Sequence, residues 1–194
     1  MTKTPTTIFA VLISLLLLLV QAGTSAANLV QNGGFETGDF TGWTLSGNTE
    51  FTYVRAQGLT YVHSGEYAAD LGPAGSNGYI SQTIATVPGQ AYLVSFWLGS
   101  GTGSDGSIDN YFAGSLGGTG FFATSNIPPQ PYTYYSFTMT PDATNAPLKF
   151  AFRNDPGFLF LDDVKVNAVP LPASLLLLGP GLACLVGLKR KCST

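Results

Sequence analysis

Residues 79–98 read YISQTIATVPGQAYLVSFWL, and this stretch decides the class of fold. Two runs rich in β-branched and aromatic residues, 79–86 and 91–98, flank Val87-Pro88-Gly89-Gln90. Such runs are typical of strands, and the Pro-Gly pair favours a tight turn. The stretch therefore predicts two strands that are joined as a hairpin.

Alternation along the second run assigns a buried face. By the period-two rule, four apolar side chains share one face, which we expect in the core: Tyr92, Val94, Phe96 and Leu98. Trp97 then faces the opposite side. The same alternation recurs in two later runs: Tyr135, Phe137 and Met139, and Leu148, Phe150 and Phe152. Short runs of this kind, separated by turn residues, predict an all-β sandwich or barrel.

Charge and cysteine content exclude several classes of protein. The chain has eight Lys and Arg and eleven Asp and Glu. All eleven carboxylates but only four of the cations fall within residues 28–168, which gives that segment a net charge of −7. A binder of nucleic acid needs a basic stripe, so we expect no nucleic-acid partner. Cys184 and Cys192 lie outside this segment, so core packing must stabilise it without disulfides.

The N-terminus has the layout of a secretory signal. Lys3 precedes an apolar run over residues 8–20, and Ser25-Ala26-Ala27 supplies small residues for cleavage. The sequence thus predicts a signal peptide over residues 1–27. The exported domain covers residues 28–168, which is one domain's length and enough to bury a core.

The C-terminus joins three short blocks. Val169-Pro170-Leu171-Pro172-Ala173-Ser174 precedes an uncharged apolar run that extends to residue 188 and a basic end, residues 189–191. The apolar run, taken as a transmembrane helix over residues 174–188, is near the shortest length that spans a bilayer. The cations that follow it fit the positive-inside rule. A permanent anchor and a removable signal both agree with these residues.

This tail, residues 169–194, resembles the PEP-CTERM sorting signal of Gram-negative bacteria, although Leu171 stands where that family most often has glutamate. The resemblance implies recognition by the membrane protease-transferase exosortase. It implies an inner-membrane intermediate, followed by release or attachment at the cell surface or in the extracellular matrix. Such bacteria commonly make exopolysaccharide.

Three motifs mark the exported domain. Residues 28–43 read NLVQNGGFETGDFTGW, and Ser64-Gly65-Glu66-Tyr67 and Leu161-Asp162-Asp163-Val164 follow later. In this order they resemble the galactose-binding-like jelly-roll sandwiches, which include many carbohydrate-binding modules. The resemblance implies a jelly-roll β-sandwich over residues 28–168. It also implies association with polysaccharide.

Asp162 requires a partner. The alternation of residues 158–166 turns Asp162 inward together with three apolar side chains: Phe160, Val164 and Val166. An unpaired buried carboxylate costs several kcal/mol. A calcium ion held by Asp162, Glu36 and backbone carbonyls would satisfy it. Backbone N–H donors or protonation of the carboxyl group would also do so.

The same resemblance bears on this calcium. The related modules often carry a structural calcium that joins their first and last strands. For this chain the resemblance implies Glu36 and Asp162 as ligands, with carbonyl groups near Gly34 and Glu66 completing the site.

Several side chains are candidates for ligand contacts. Trp97 is the best placed to be an exposed aromatic ring. Four further rings are expected in loops, where they can stack on sugars: Tyr111, Phe112, Phe121 and Phe122. Arg153 and Asn154 begin a tight connection between the last two strands and offer polar contacts at the rim of the sandwich. The simpler alternative is a hairpin turn with Arg153 stacked on an aromatic ring. Trp43 is expected in the core.

The residue inventory argues against an enzyme. His63 is the only histidine, it lacks a nucleophile-elbow motif, and a zinc site needs several His or Cys ligands. We therefore expect a non-catalytic exported protein that associates with exopolysaccharide. The alternative is a structural or adhesive surface protein with protein partners, and a hydrolase with two facing carboxylates is a third possibility. A cleft with two exposed aromatic rings would favour the first.

Overall fold

The computed structural model describes residues 27–56, 61–101 and 109–170. Nearly all of the expected signal peptide, the run at 174–188 and the basic end lie outside these residues. Of the expected sorting motif, only Val169 and Pro170 lie within them. Across the described ranges, no helix has the length and hydropathy needed to span a membrane.

Two antiparallel sheets make up the described part of the chain. The strands are β1 (Thr44–Gly47), β2 (Thr52–Ala56), β3 (Tyr67–Leu71), β4 (Gly78–Ala85), β5 (Tyr92–Ser100), β6 (Asp109–Leu116), β7 (Thr119–Ser125), β8 (Gln130–Met139), β9 (Asn145–Asp155) and β10 (Leu159–Ala168). The first sheet has the order β1-β4-β9-β6-β7, and the second has the order β2-β3-β10-β5-β8. The prediction of an all-β sandwich is confirmed.

The inner faces of the two sheets enclose an apolar core. The core side chains predicted from β5 and β9 are all at most 3% exposed: Tyr92, Val94, Phe96, Leu98, Leu148, Phe150 and Phe152. Those predicted from β8 pack against this core: Tyr135, Phe137 and Met139. Trp43 is also buried, because its ring stacks on Phe35 and its indole N–H donates to the Asn32 carbonyl. These core predictions are confirmed.

The predicted hairpin over residues 79–98 is wrong. β4 pairs with β1 and β9, whereas β5 pairs with β10 and β8. The tight turn does form, with the Gln90 N–H donating to the Val87 carbonyl, but it carries the chain from the first sheet to the second. A turn of this kind reverses the chain direction equally well within a sheet and between sheets.

The connection from β9 to β10 also passes between the sheets, so the hairpin alternative at residues 153–157 is wrong. Arg153 forms ion pairs there with Asp109 at 2.9 Å and with Asp155 at 3.4 Å.

β10 changes its side-chain alternation halfway along. Its core-facing side chains come in two pairs: Leu159 and Leu161, then Val164 and Val166. Between the pairs the register to β5 shifts, and Asp163 adopts a left-handed conformation with a φ of 51°. This β-bulge adds one residue and re-aims the strand. Phe160 and Asp162 therefore lie on the outer face of the sheet, and the prediction that they point into the core is wrong.

The four aromatic residues expected in loops lie in strands instead, two in β6 and two in β7. Phe112 is fully buried, and Phe121 and Phe122 pack against the core. The prediction is wrong because the Gly117-Gly118 turn that joins these two strands gives the whole stretch a loop-like composition.

Candidate functional site

The outer face of the second sheet carries two rows of side chains that cross the strands. Directly opposed residues of neighbouring antiparallel strands point to the same face. The first row comprises Tyr53, Asp70, Phe160 and Gly99. The second row has two parts: Arg55 opposite Ala68, and then Asp162, Trp97 and Tyr134 opposite one another. The rows place aromatic, charged and small side chains side by side.

Small residues make room for aromatic rings on this face. A Cβ atom on Gly72 would lie 2.5 Å from the Phe158 ring, and one on Gly99 would lie 3.3 Å from the Phe160 ring. A Cβ on Gly101 would come within 3.4 Å of Phe160. Because glycine has no Cβ, the two phenylalanine rings can pack close to the backbone of the sheet and form a floor.

A cleft of about 1020 Å³ opens above this floor. Its size is at the upper end of the roughly 300–1,000 Å³ that is typical of ligand sites. Its lining consists of Arg55, Tyr61, Val62, His63, Trp97, Ser100, Gly101, Pro129, Gln130, Pro131, Tyr132, Phe158 and Phe160. We call it the sheet-two cleft.

Arg55 is held rigidly at one side of the sheet-two cleft. Its Nε lies 2.6 Å from the Asp70 carboxylate, and its guanidinium lies over three rings at 5.1–5.8 Å: Tyr53, Tyr61 and Phe158. Asp70 is fully buried, and burial raises its pKa to about 6 although the charge of Arg55 acts in the opposite direction. One third of the Arg55 side chain stays exposed, so its outer N–H groups can donate to a ligand.

Residues 61–64 lie across the outer face of the sheet. The Tyr61 ring packs edge-on against Phe160 at 5.1 Å, and the His63 ring stacks on Trp97 at 3.8 Å. From β8, the Tyr132 hydroxyl donates to the Tyr61 carbonyl at 2.8 Å. Burial and the nearby charge of Asp162 raise the pKa of Tyr132, which keeps its hydroxyl protonated as a donor.

Asp162 is fully buried beneath the same segment. Its carboxylate accepts hydrogen bonds from three backbone N–H groups, those of His63, Ser64 and Asp163. Burial raises the pKa of Asp162 to about 6, although these amides lower it. Backbone donors, one of the alternatives that the sequence left open, therefore satisfy this carboxylate in the structure.

The residues proposed for calcium lie near one another. A Cβ on Gly34 would be 3.7 Å from Asp162 Oδ1 and 4.0 Å from Glu36 Oε1, so the two carboxylates flank this glycine. The Glu36 carboxylate accepts hydrogen bonds from the N–H groups of Glu66 and Tyr67. Two carboxylates beside glycine-rich backbone are a donor set that suits a hard cation.

A second group of ligating atoms overlaps with this site. His63, Asp162 and Asp163 each place one such atom within 4.8 Å of the others. His63 Nδ1 lies 2.8 Å from Asp163, whose other oxygen lies 3.3 Å from Lys165. In the structure these groups satisfy one another as ion pairs and hydrogen bonds.

Four of the side chains expected to contact a ligand are divided between the two sheets: Trp97, Tyr111, Arg153 and Asn154. Trp97 lines the sheet-two cleft. Tyr111 and Arg153 are opposite each other on the outer face of the first sheet, and Asn154 is buried beside them in β9. The structure therefore does not bring Trp97 together with the other three.

Most of the described chain matches the model of a known protein family. The model of the family described as "Carbohydrate binding domain" (CBM_4_9) matches residues 27–157. The chain belongs to this carbohydrate-binding domain family. No curated protein matches the chain.

Solved structures similar to this carbohydrate-binding domain share its jelly-roll sandwich. TmCBM61 in complex with β-1,4-galactotriose has a TM-score of 0.58 and 21% identity, covering 74% of this chain and 100% of that one. The CBM22-1 xylan-binding domain of Paenibacillus barcinonensis Xyn10C has a TM-score of 0.54 and 16% identity, with coverages of 78% and 100%. The CBM22-1-GH10 modules of Clostridium thermocellum xylanase 10B have a TM-score of 0.54 and 17% identity, with coverages of 77% and 30%. At these identities the likeness concerns the fold.

Most of the cleft of this carbohydrate-binding domain was not found from the sequence. Arg55, Tyr61 and Tyr132 reach the cleft from three separate parts of the chain, and only their fold brings them together. Alternation did contain a signal for β8, since the inward-facing Tyr135 and Phe137 place Tyr134 on the same outer face as Trp97. The bulge in β10 reverses the alternation of that strand, so the sequence did not place Phe160 on the outer face.

Proposed function

We propose that the protein binds polysaccharide in the sheet-two cleft and has no catalytic activity of its own. The observation that carries this proposal is a cleft of aromatic rings and one fixed guanidinium in a chain of the Carbohydrate binding domain family. Aromatic faces pack on the apolar faces of sugar rings, while a few polar groups fix their orientation. Of the rings that line this cleft, Tyr61 is 38% exposed, and Tyr134, which is 49% exposed, lies beside the lining residue Trp97. These exposed rings favour sugar binding over a purely adhesive role.

The charges around the cleft favour an uncharged sugar. Among the described residues that line the cleft, Arg55 is the only lysine or arginine, and Asp70 already balances its charge. The carboxylates of Asp162 and Asp163 lie just behind His63. A polymer of uronic acids would bring further negative charge to this site, so neutral polysaccharides are the proposed ligand class.

The tail supports a further part of the proposal, which is export and sorting. Residues 169–191 have the order of a proline-marked motif, an apolar run and a basic end, as PEP-CTERM signals do. Exosortase is the proposed partner, and the proposed destination is the cell surface or the extracellular matrix. The N-terminal run over residues 8–20 supports entry into the secretory route.

Calcium is proposed as a structural ion near Gly34. Glu36 and Asp162 would hold it, with backbone carbonyls of the Gly34 and Glu66 regions completing its shell. The support is the approach of both carboxylates to Gly34. Such an ion would join the N-terminal segment to β10.

The binding proposal is tested by screening the protein against neutral and uronic-acid polysaccharides, followed by calorimetry on the hits. Tyr61→Ala removes a cleft ring and Arg55→Lys removes the planar donor while keeping a cation beside Asp70. Each change is expected to weaken binding roughly tenfold, which corresponds to about 1.4 kcal/mol.

Tyr79→Ala is the matched control, because Tyr79 packs against Lys149 on the first sheet, away from the cleft. It is expected to bind like the wild type. Binding that Tyr61→Ala and Arg55→Lys leave intact would contradict the proposed site, and a folded protein that binds no polysaccharide would contradict the proposed function.

A further inference from the structure

We propose that His63 sets ligand specificity by occupying the ring face of Trp97, which closes one end of the sheet-two cleft. A sugar chain would then be confined to the open part of the cleft, beside Tyr61, Gln130 and Phe158. This inference rests on the proposed function.

The contact between His63 and Trp97 has the geometry of ring stacking. The ring centroids are 3.8 Å apart and the planes differ by 18°. Tyr134 packs against Trp97 as well, at 5.3 Å and a tilt of 53°. A ring placed so close and so nearly parallel covers the indole face that would otherwise be open to a sugar. Trp97 is thus a cleft residue whose stacking surface is already occupied.

His63 is fixed in this position from several directions. Its Nδ1 lies 2.8 Å from Asp163, and its backbone N–H donates to Asp162 at 2.9 Å. The next residue adds two bonds, because the Ser64 N–H donates to Asp162 and its hydroxyl donates to Asp163. These contacts hold His63 by both its backbone and its ring, so we describe it as a wall and not as a mobile flap.

Tyr132 of β8 extends this wall from above β10 past β5. Its hydroxyl donates to the Tyr61 carbonyl, and its ring packs edge-on against His63 at 5.5 Å. The wall formed by residues 61–63 and Tyr132 therefore runs from above β10 to β8. The lining residues Ser100, Gly101 and Pro129 belong to the strand ends on one side of this wall.

The wall has a consequence for ligand length. A chain that enters the open part meets His63 instead of continuing over Trp97. Affinity should rise with the number of sugars only until the open part is filled. Without the imidazole, the Trp97 face becomes a further stacking surface for longer chains.

The test measures the affinity of wild type and His63→Ala for β-1,4-linked xylose and galactose oligomers, from trimer to hexamer. Wild-type affinity is expected to level off along the series. The variant is expected to bind the longest oligomers roughly 3- to 10-fold more tightly than wild type, which is the range of one added aromatic contact. In the double variant with Trp97→Leu this gain should disappear, and in His63→Phe a ring again covers Trp97 and the gain should be absent.

The outcomes separate the two proposals. If wild type binds an oligomer but His63→Ala gains nothing for the longer ones, or gains equally without Trp97, the inference is overturned and the proposed function stands. If both folded proteins bind no oligomer and no polysaccharide, the proposed function is overturned together with it. Thermal melting of each variant verifies the fold.

Discussion

Asp70 and Asp162 are both fully buried on the outer face of the second sheet, and each is stabilised differently. Asp70 has an ion pair with Arg55, whereas Asp162 accepts three backbone N–H bonds. The sequence predicted that Asp162 would need partners, because an unpaired buried carboxylate is costly. It could not identify His63 and Ser64 as those partners, since they lie about a hundred residues earlier in the chain.

The pKa of Asp70 makes stability depend on pH. Burial raises this pKa from 3.8 to about 6, so between pH 4 and pH 6 the folded state binds a proton more tightly than the unfolded state. Raising the pH through this window therefore lowers the free energy of unfolding, and above pH 6 the loss is complete. The expected loss is on the order of 1–3 kcal/mol.

Asp70→Asn removes this titrating group and leaves the other ionisable groups in place. We expect the difference in the free energy of unfolding between wild type and Asp70→Asn to move in favour of the variant as pH rises from 4 to 6. Urea titrations at several pH values measure this difference. Parallel pH profiles for the two proteins would refute the assigned cause.

At the scale of the elements, alternation predicted the buried faces of three strands correctly but not the buried face of β10. Alternation correctly assigned the inward faces of β5, β8 and β9, because these strands keep one period over the core. It failed in β10 because a bulge at Asp163 adds a residue, and no local sequence signal distinguishes that bulge from regular strand. It also failed to assign sheet partners, since the turn at residues 87–90 has the same chemistry within a sheet and between sheets.

The bulge in β10 is packed tightly against the N-terminal segment. The Val164 N–H donates to the Gly33 carbonyl, and a Cβ on Gly33 would meet the Val164 carbonyl oxygen at 2.1 Å. Gly33→Ala is expected to reduce the free energy of unfolding by roughly 1–3 kcal/mol, because backbone must move to relieve the overlap. Urea unfolding measures the loss.

Gly120→Ala is the control for this substitution. A Cβ on Gly120 has no neighbour closer than 4.0 Å, so this variant should remain within about 0.5 kcal/mol of wild type. Equal stability of Gly33→Ala and wild type would contradict the close packing of the N-terminal segment on β10.

At the scale of the whole molecule, the sandwich brings distant segments to one cleft and one junction. The fold class and the family resemblance could be predicted, because the strand runs and the motifs at 28–43 and 161–164 are local patterns. The cleft could not, since its walls come from β2, β5, β8, β10 and residues 61–63, and their juxtaposition is set by sheet order. Trp97 was found because the alternation of β5 places its ring on the face opposite to the core.

The proposed calcium ion gives a prediction for the whole domain. If the ion joins Glu36 to Asp162, calcium should raise the melting temperature of the protein and EDTA should lower it. A ligand at a hundred times its Kd stabilises by about 2.7 kcal/mol, and each kcal/mol corresponds to roughly 2–4 °C in a domain of this size. Calorimetric scans in calcium and in EDTA measure the shift.

Glu36→Gln is expected to remove most of this calcium response, whereas Glu50→Gln, an exposed carboxylate ahead of β2, should keep it. Identical melting temperatures of the wild type in calcium and in EDTA would rule out a stabilising calcium site. In that case the backbone N–H donors alone stabilise both carboxylates.

The measurement that tests the central claim most directly is an NMR titration of the isotope-labelled protein with a neutral oligosaccharide that it binds. We predict that the largest chemical-shift changes fall on Arg55, Tyr61 and Gln130, around the sheet-two cleft. Changes that cluster instead on the first sheet, around Tyr111 and Arg153, would contradict it and place the sugar on the opposite face of the sandwich.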